Sequence, residues 1–213
     1  MMDTNSDIEK YILEHTTEAD LVLQELERET FLKVLRPRML SGHLQGNMLE
    51  LFSQMMQPER ILEIGTYTGY SAICLAKGLQ KGGMLHTIEI NDELEIMAKR
   101  YFEKSGLSDK ITQHIGDAKS IIASLDESFD LVFIDADKRE YCTYFDLVID
   151  KVRPGGILIA DNILWDGKVV ETIDPNDEQT QGILAFNEKI KNDLRVSQMI
   201  IPLRDGLMVI RKK

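Results

Sequence analysis

From Ile61 to Asn162 the chain repeats one unit: a short apolar run, a turn, then a longer stretch with apolar residues three and four apart. ILEIG, MLHTIEI, ITQHIG, LVFIDAD and GILIADN read as strands. YSAICLAKGLQ, DELEIMAKRYFEKSG, DAKSIIASL and REYCTYFDLVIDKV between them read as helices. Pro154-Gly155-Gly156 is read as closing the last of these helices before the fifth strand. Strands that alternate with helices must lie parallel, because a parallel crossover needs a connection of that length. LVFI and ILIA show no polar alternation, which predicts strands covered on both faces. TQGILAFNEKIKND then reads as a helix, and VSQMIIPL and GLMVIRKK as two strands turning back through Arg204-Asp205-Gly206. The fold class is therefore α/β: a doubly wound, mostly parallel seven-stranded sheet with a C-terminal antiparallel hairpin.

Residues 1–58 lack strand patterning and read as helices, in DIEKYIL, DLVLQELERETFL and LQGNMLELFSQMM. No repeat or linker separates them from residues 59–213, so residues 1–213 are expected to form a single domain with a helical N-terminal extension. No apolar run approaches the roughly 18–20 residues that cross a bilayer, and MMDTNSDIEK lacks the pattern of a secretory leader. Cys74 and Cys142 are too few for a disulfide framework and read as buried free thiols. A cytoplasmic protein that does not engage the membrane is the expectation. The formal net charge of −11 argues against nucleic acid as a partner. Residues 1–30 hold nine acids and two bases, so most of that charge sits in the extension.

Open α/β sheets bind ligands beyond the carboxyl ends of their strands. After the first strand comes Glu63-Ile64-Gly65-Thr66-Tyr67-Thr68-Gly69, spaced G-x-x-x-G. The dinucleotide fingerprint needs a glycine where Tyr67 stands, and no Walker-type phosphate loop follows. A nucleoside-type ligand without a pyrophosphate remains, or simply two turn glycines. Glu89 ends the second strand, where a carboxylate can accept from both hydroxyls of a ribose. Asp117 ends the third; it either accepts from an adenine amine or caps the next helix. Asp135 closes the fourth strand and Asp161-Asn162 the fifth, projecting from the same sheet edge. Each can cap a helix; together they are hard oxygen donors suited to Mg²⁺, Mn²⁺ or Ca²⁺ rather than zinc.

FIDADK, GGILIADNILWDG and the terminal DGLMVIRK resemble the cation-dependent class I S-adenosylmethionine O-methyltransferases, the catechol and caffeoyl-coenzyme A type and its small bacterial relatives. The likeness runs from about Met39 to Lys213. It implies that Met39, Glu63, Gly65, Tyr67, Ser71, Glu89, Asp117, Ala118 and Asp135 border S-adenosylmethionine. It implies Asp135, Asp161 and Asn162 as ligands of a divalent cation, Mg²⁺ first. It also implies Lys138 as the general base, with Asp135 beside it in the catalytic set. A phenol with a pKa of about 10 is a poor nucleophile while protonated, so a base and a Lewis acid together suit methylation of a vicinal aromatic diol.

The resemblance implies that the segment Arg38-Met39-Leu40-Ser41-Gly42-His43-Leu44-Gln45-Gly46 borders cofactor and acceptor, with Met39 on the cofactor side and His43 either touching the acceptor or structural. Trp165 is either an acceptor wall or a clamp on its loop, and Tyr141, Tyr144 and Phe145 are expected to be core. A homodimer is expected, as in related enzymes. Rival readings are methylation of an RNA hydroxyl, a nicotinamide-dependent oxidoreductase and a non-catalytic binding module.

Overall fold

A computed structural model describes residues 6–213, with the Ser6 and Glu9 side chains left aside. Residues 1–5, the first part of the acidic extension and of the MMDTNSDIEK segment, lie outside the described residues. Helices α1 (Ser6–Glu14), α2 (Leu21–Lys33) and α3 (Gly42–Met56) precede the sheet. Strands and helices then alternate: β1 (Arg60–Ile64), α4 (Tyr70–Ala76), β2 (Met84–Glu89), α5 (Glu95–Lys104), β3 (Ile111–Ile115), α6 (Ala118–Ser124), β4 (Phe129–Ile134), α7 (Tyr141–Ile149) and β5 (Val152–Ala160). Helix α8 (Glu178–Asn192), β6 (Val196–Ile201) and β7 (Leu207–Lys212) complete the chain. Seven strands form one sheet in the order β3-β2-β1-β4-β5-β7-β6, with β1 to β5 parallel and β7 antiparallel to both β5 and β6.

The continuous apolar runs explain the double winding. Successive strand residues point to opposite faces, so Val132 and Ile134 join a core with α6, α7 and α8. Leu131 and Phe133 join a second core with α2, α3, α4 and α5. All four are fully buried, and truncating Phe133 to alanine would cost about 3–5 kcal/mol. The extension is therefore one of the layers that cover the sheet. Its α2 is joined to α5 by Tyr101, whose hydroxyl donates to Glu29 at 2.6 Å.

Two boundaries differ from the pattern in the sequence. Helix α4 ends at Ala76 rather than continuing to Gln80. Gly78 passes so close to α3 that a Cβ there would collide with the Ser53 backbone. Pro154-Gly155-Gly156 lies inside β5, not before it. The register jumps from Phe129↔Val152 to Leu131↔Ile157, a bulge that takes up the residues between. Proline has no N–H for a ladder, and bulges are where strands accommodate it. Among the described residues no helix is long and apolar enough to cross a membrane.

Candidate active site

The carboxyl ends of β1, β2, β4 and β5 meet at the middle of the sheet, where the order reverses direction beside β1. Gly65 has φ 106 and Gly69 φ 92, values that side-chain-bearing residues avoid. A Cβ on Gly65 would overlap the Asp135 carbonyl, and one on Gly69 the Phe102 ring. The protein's own packing, rather than room for a ligand, thus requires glycine at both. Tyr67 between them is also left-handed at φ 51. Its amide donates to Glu89 Oε2 at 2.7 Å, and the Asn91 amide donates to Oε1 at 3.0 Å. Glu89 is thereby fixed by backbone, with lone pairs left on each oxygen.

Glu63 is fully buried one layer beneath that loop. The Thr87 hydroxyl donates to its Oε2, while Oε1 makes no well-formed hydrogen bond. Burial pushes its pKa up to about 8, with the charges of Asp135 and Glu89 adding to the rise and the Ser71 and Thr87 hydroxyls opposing it. Ser71 is buried in the first turn of α4. Asp117 caps α6, its Oδ2 accepting from the Ser120 amide at 3.1 Å and hydroxyl at 2.9 Å, and Ala118 opens that helix. Met39 sits in a short 3-10 turn, Pro37–Met39, and is 55% exposed. This turn is attached to the loop, because the Tyr67 hydroxyl reaches the Leu35 and Arg36 carbonyls at 3.2 Å.

On the other side, β4 and β5 are neighbours in register, which brings Asp135, Asp161 and Asn162 together at one edge. Asp161 is only 2% exposed. Its Oδ1 accepts from the Asn162 amide at 2.7 Å and its Oδ2 from Gln45 Nε2 at 2.6 Å. Burial, and after it the Asp135 charge, raise its pKa. Asn162 is left-handed at φ 57, a conformation asparagine tolerates better than most. Lys138 is buried; its Nζ donates to Asp135 Oδ1 at 2.8 Å and to the Tyr141 hydroxyl at 2.7 Å. That hydroxyl in turn donates to the Ile134 and Asp161 carbonyls at 3.2 and 3.1 Å. Asp137 caps the turn after β4, accepting from the Arg139 amide.

These contacts test whether the residues suit a divalent cation, and they do. The Asp135 charge disfavours that of Asp161, and two such carboxylates with an amide adjacent in sequence make a hard oxygen set that a cation would relieve. Among the described residues no three His, Cys, Asp or Glu side chains gather as a metal cage.

Three participants were not legible beforehand. Gln45 and Arg204 contact the Asp161 network; Gln45 lies in the segment expected to border cofactor and acceptor, but no role is legible for it there, and Arg204 reads only as part of a turn. Tyr141 belongs to the core as expected, but its hydroxyl also holds Lys138. His43 lies in the first turn of α3, 3.4 Å from the Asn47 amide. Trp165 packs partly buried against the core that includes Ile163, the contact of a clamp on its loop. Cys74 and Cys142 are free thiols, the former buried.

Fold and edge together define an α/β protein with an acidic site at its topological switch point. Residues 13–213 match the family model described as O-methyltransferase, and the chain belongs to that family. It is 35% identical to a catechol O-methyltransferase of Niastella koreensis over 75% of this chain and 73% of that one. It is 31% identical to caffeoyl-CoA O-methyltransferase 1 of Eucalyptus globulus over 79% and 72% respectively. The crystal structure of an O-methyltransferase from Bacillus cereus in complex with SAH superposes over the full length of both chains, with a TM-score of 0.91 and 31% identity.

Proposed function

We propose that this chain transfers the sulfonium methyl of S-adenosylmethionine to one hydroxyl of a vicinal aromatic diol. The observation that carries the reading is the division of the sheet edge into two carboxylate sets, Glu63 with Glu89 and Asp135 with Asp161. The relatives support it, one being a catechol methyltransferase and one of the solved structures holding SAH. Glu89, aligned by the amides of Tyr67 and Asn91, suits a ribose diol. Met39, Gly65, Tyr67, Ser71, Asp117, Ala118 and Asp135 complete the proposed cofactor border, with Glu63 beneath it.

Asp135, Asp161 and Asn162 would hold a divalent cation, Mg²⁺ in the first instance. When bound, it would supply Lewis acidity that stabilises a phenolate. Lys138 is the proposed base for the phenolic proton. It stands between Asp135 and Tyr141, so it must exchange the Asp135 contact and enter the step as the free amine. The proton then passes from the hydroxyl to Nζ, the oxygen displaces the methyl group, and the sulfonium leaves as the neutral thioether. Buried Tyr141 keeps Nζ aimed at the edge throughout.

The test is a methyl-transfer assay against catechols, flavonoids and acyl-coenzyme A thioesters, with Mg²⁺ or with excess EDTA. Turnover of diols that vanishes in EDTA and returns with Mg²⁺ is expected. Full activity in EDTA, with metal verified absent, would remove the cation from the reading.

A further inference from the structure

We propose that Gln45 and Arg204 form a relay that orients the Asp161 carboxylate, which makes both of them positioning residues for the reaction centre. The inference rests on the reading of Asp161 as a cation ligand. Gln45 has no exposed surface and lies in α3, 116 residues from the aspartate to which its Nε2 donates at 2.6 Å. Its Oε1 accepts from Arg204 Nη1 at 3.2 Å. Arg204, at the tip of the β6–β7 connection, also donates to the Ser41 carbonyl through Nη1 and to the Arg38 carbonyl through Nη2 at 3.4 Å.

This arrangement leaves the amide one orientation. Turned over, Gln45 would set its carbonyl oxygen against a carboxylate and its NH₂ against a guanidinium, opposing both charged partners at once. Arg204 therefore decides which end of Gln45 faces Asp161. Gln45 in turn decides how the carboxylate lies. The terminal torsion of an aspartate is soft, and the Asn162 amide holds only Oδ1. Without Gln45, Oδ2 has no fixed partner. Packing alone does not call for this amide, since a fully buried polar side chain is costly to bury unless its hydrogen bonds are made. Arg204 adopts φ 51, a conformation side-chain-bearing residues seldom take, at the point where its guanidinium reaches inward. Partners of this kind behind a metal ligand are typically worth 10–100-fold in affinity or activity.

The experiment measures Mn²⁺ binding to the full chain by calorimetry, with S-adenosylmethionine affinity measured separately, for wild type and for Gln45→Leu, Arg204→Gln, Arg204→Lys and the Gln45→Leu/Arg204→Gln double variant. Gln45→Leu should weaken Mn²⁺ binding roughly 10–100-fold, and Arg204→Gln by less. Arg204→Lys, which keeps a charged donor, should recover part of the loss. Because the residues act in series, the double variant should be no weaker than Gln45→Leu alone. In Gln45→Leu, cofactor affinity should stay within about twofold of wild type, since Gln45 touches nothing on the Tyr67–Glu89 side; the Arg204 variants are read on Mn²⁺ alone, because Arg204 also holds the Arg38 carbonyl beside Met39. Arg204 is exposed, so its variants keep the test decisive if Gln45→Leu does not fold. Wild-type Mn²⁺ affinity in the Arg204 variants, multiplying losses, or an equal fall in cofactor affinity in Gln45→Leu would overturn the relay while leaving the cation site standing. A wild-type chain that binds no Mn²⁺ would overturn the reading of the site, and the relay with it.

Discussion

The two halves of the sheet edge hold their carboxylates by different means. On the β1–β2 side Glu89 is fixed by two backbone amides, from Tyr67 in the loop after β1 and from Asn91 two residues further along the chain. On the β4–β5 side Asp135 and Asp161 are held mainly by side chains: Lys138, and Gln45 from before the sheet. Backbone amides cannot be mutated away, so the first half depends on turn geometry. The second half is a network in which removing one partner strands another. If the first half is the proposed binding subsite and the second the proposed reacting one, the two should therefore fail differently.

The largest expected effect tests that difference directly. Asp135→Ala removes a proposed cation ligand and the partner of buried Lys138 together. We expect kcat/KM to fall by at least about a hundredfold, while cofactor affinity, measured by calorimetry, changes by less than about threefold. A comparable loss of cofactor binding would show that the halves are one unit. Glu89→Ala should do the reverse. It removes the proposed acceptor of the ribose diol, and a hydrogen bond to a charged group is worth about 1.5–3 kcal/mol, equivalent to roughly 10–150-fold in cofactor affinity. Mn²⁺ binding should be unchanged, and a matching fall in it would break the comparison.

The same contrast explains what the sequence disclosed. Glu63, Glu89, Asp135 and Asp161 are legible because each ends or lies within a strand whose period and apolar run are local signals. The sheet class follows from them too. Gln45 falls in a segment marked only by resemblance and Arg204 in a turn, and neither role is local, since both depend on α3 and the β6–β7 connection meeting across 159 residues of sequence. Tyr141 reads as core because its apolar ring is core, and its hydroxyl's partner depends on where Lys138 turns. The bulge in β5 was hidden for a similar reason, because Pro154-Gly155-Gly156 signals a break without saying on which side of the strand start it falls.

Glu63 provides a prediction that activity does not enter. Its pKa is raised to about 8 from an ordinary 4.5, so between those values the folded chain holds a proton that the unfolded chain has released. The stability of the cofactor-free protein should consequently fall as pH rises from about 5 to 8. Glu63→Gln removes the titration. In thermal melts its Tm should lose the part of that decline due to Glu63, a difference of several degrees, since about 1 kcal/mol corresponds to roughly 2–4 °C in a chain of this size. Identical pH slopes in the two proteins would mean that Glu63 is ionised in the folded state.

The smallest effect concerns the tie between the extension and the loop after β1, part of the proposed cofactor border. The Tyr67 hydroxyl reaches the Leu35 and Arg36 carbonyls at 3.2 Å in an exposed setting, where hydrogen bonds contribute least because water competes for both partners. Tyr67→Phe leaves the ring and the left-handed backbone in place and deletes only that tie. We expect about a twofold rise in the KM for S-adenosylmethionine, from about 0.5 kcal/mol, with kcat and Mn²⁺ affinity unaltered. A tenfold rise would mean that the Pro37–Met39 turn carries a real share of the cofactor border, so that the first half would also depend on side chains. No rise at all would confine that half to Glu89 and its two amides.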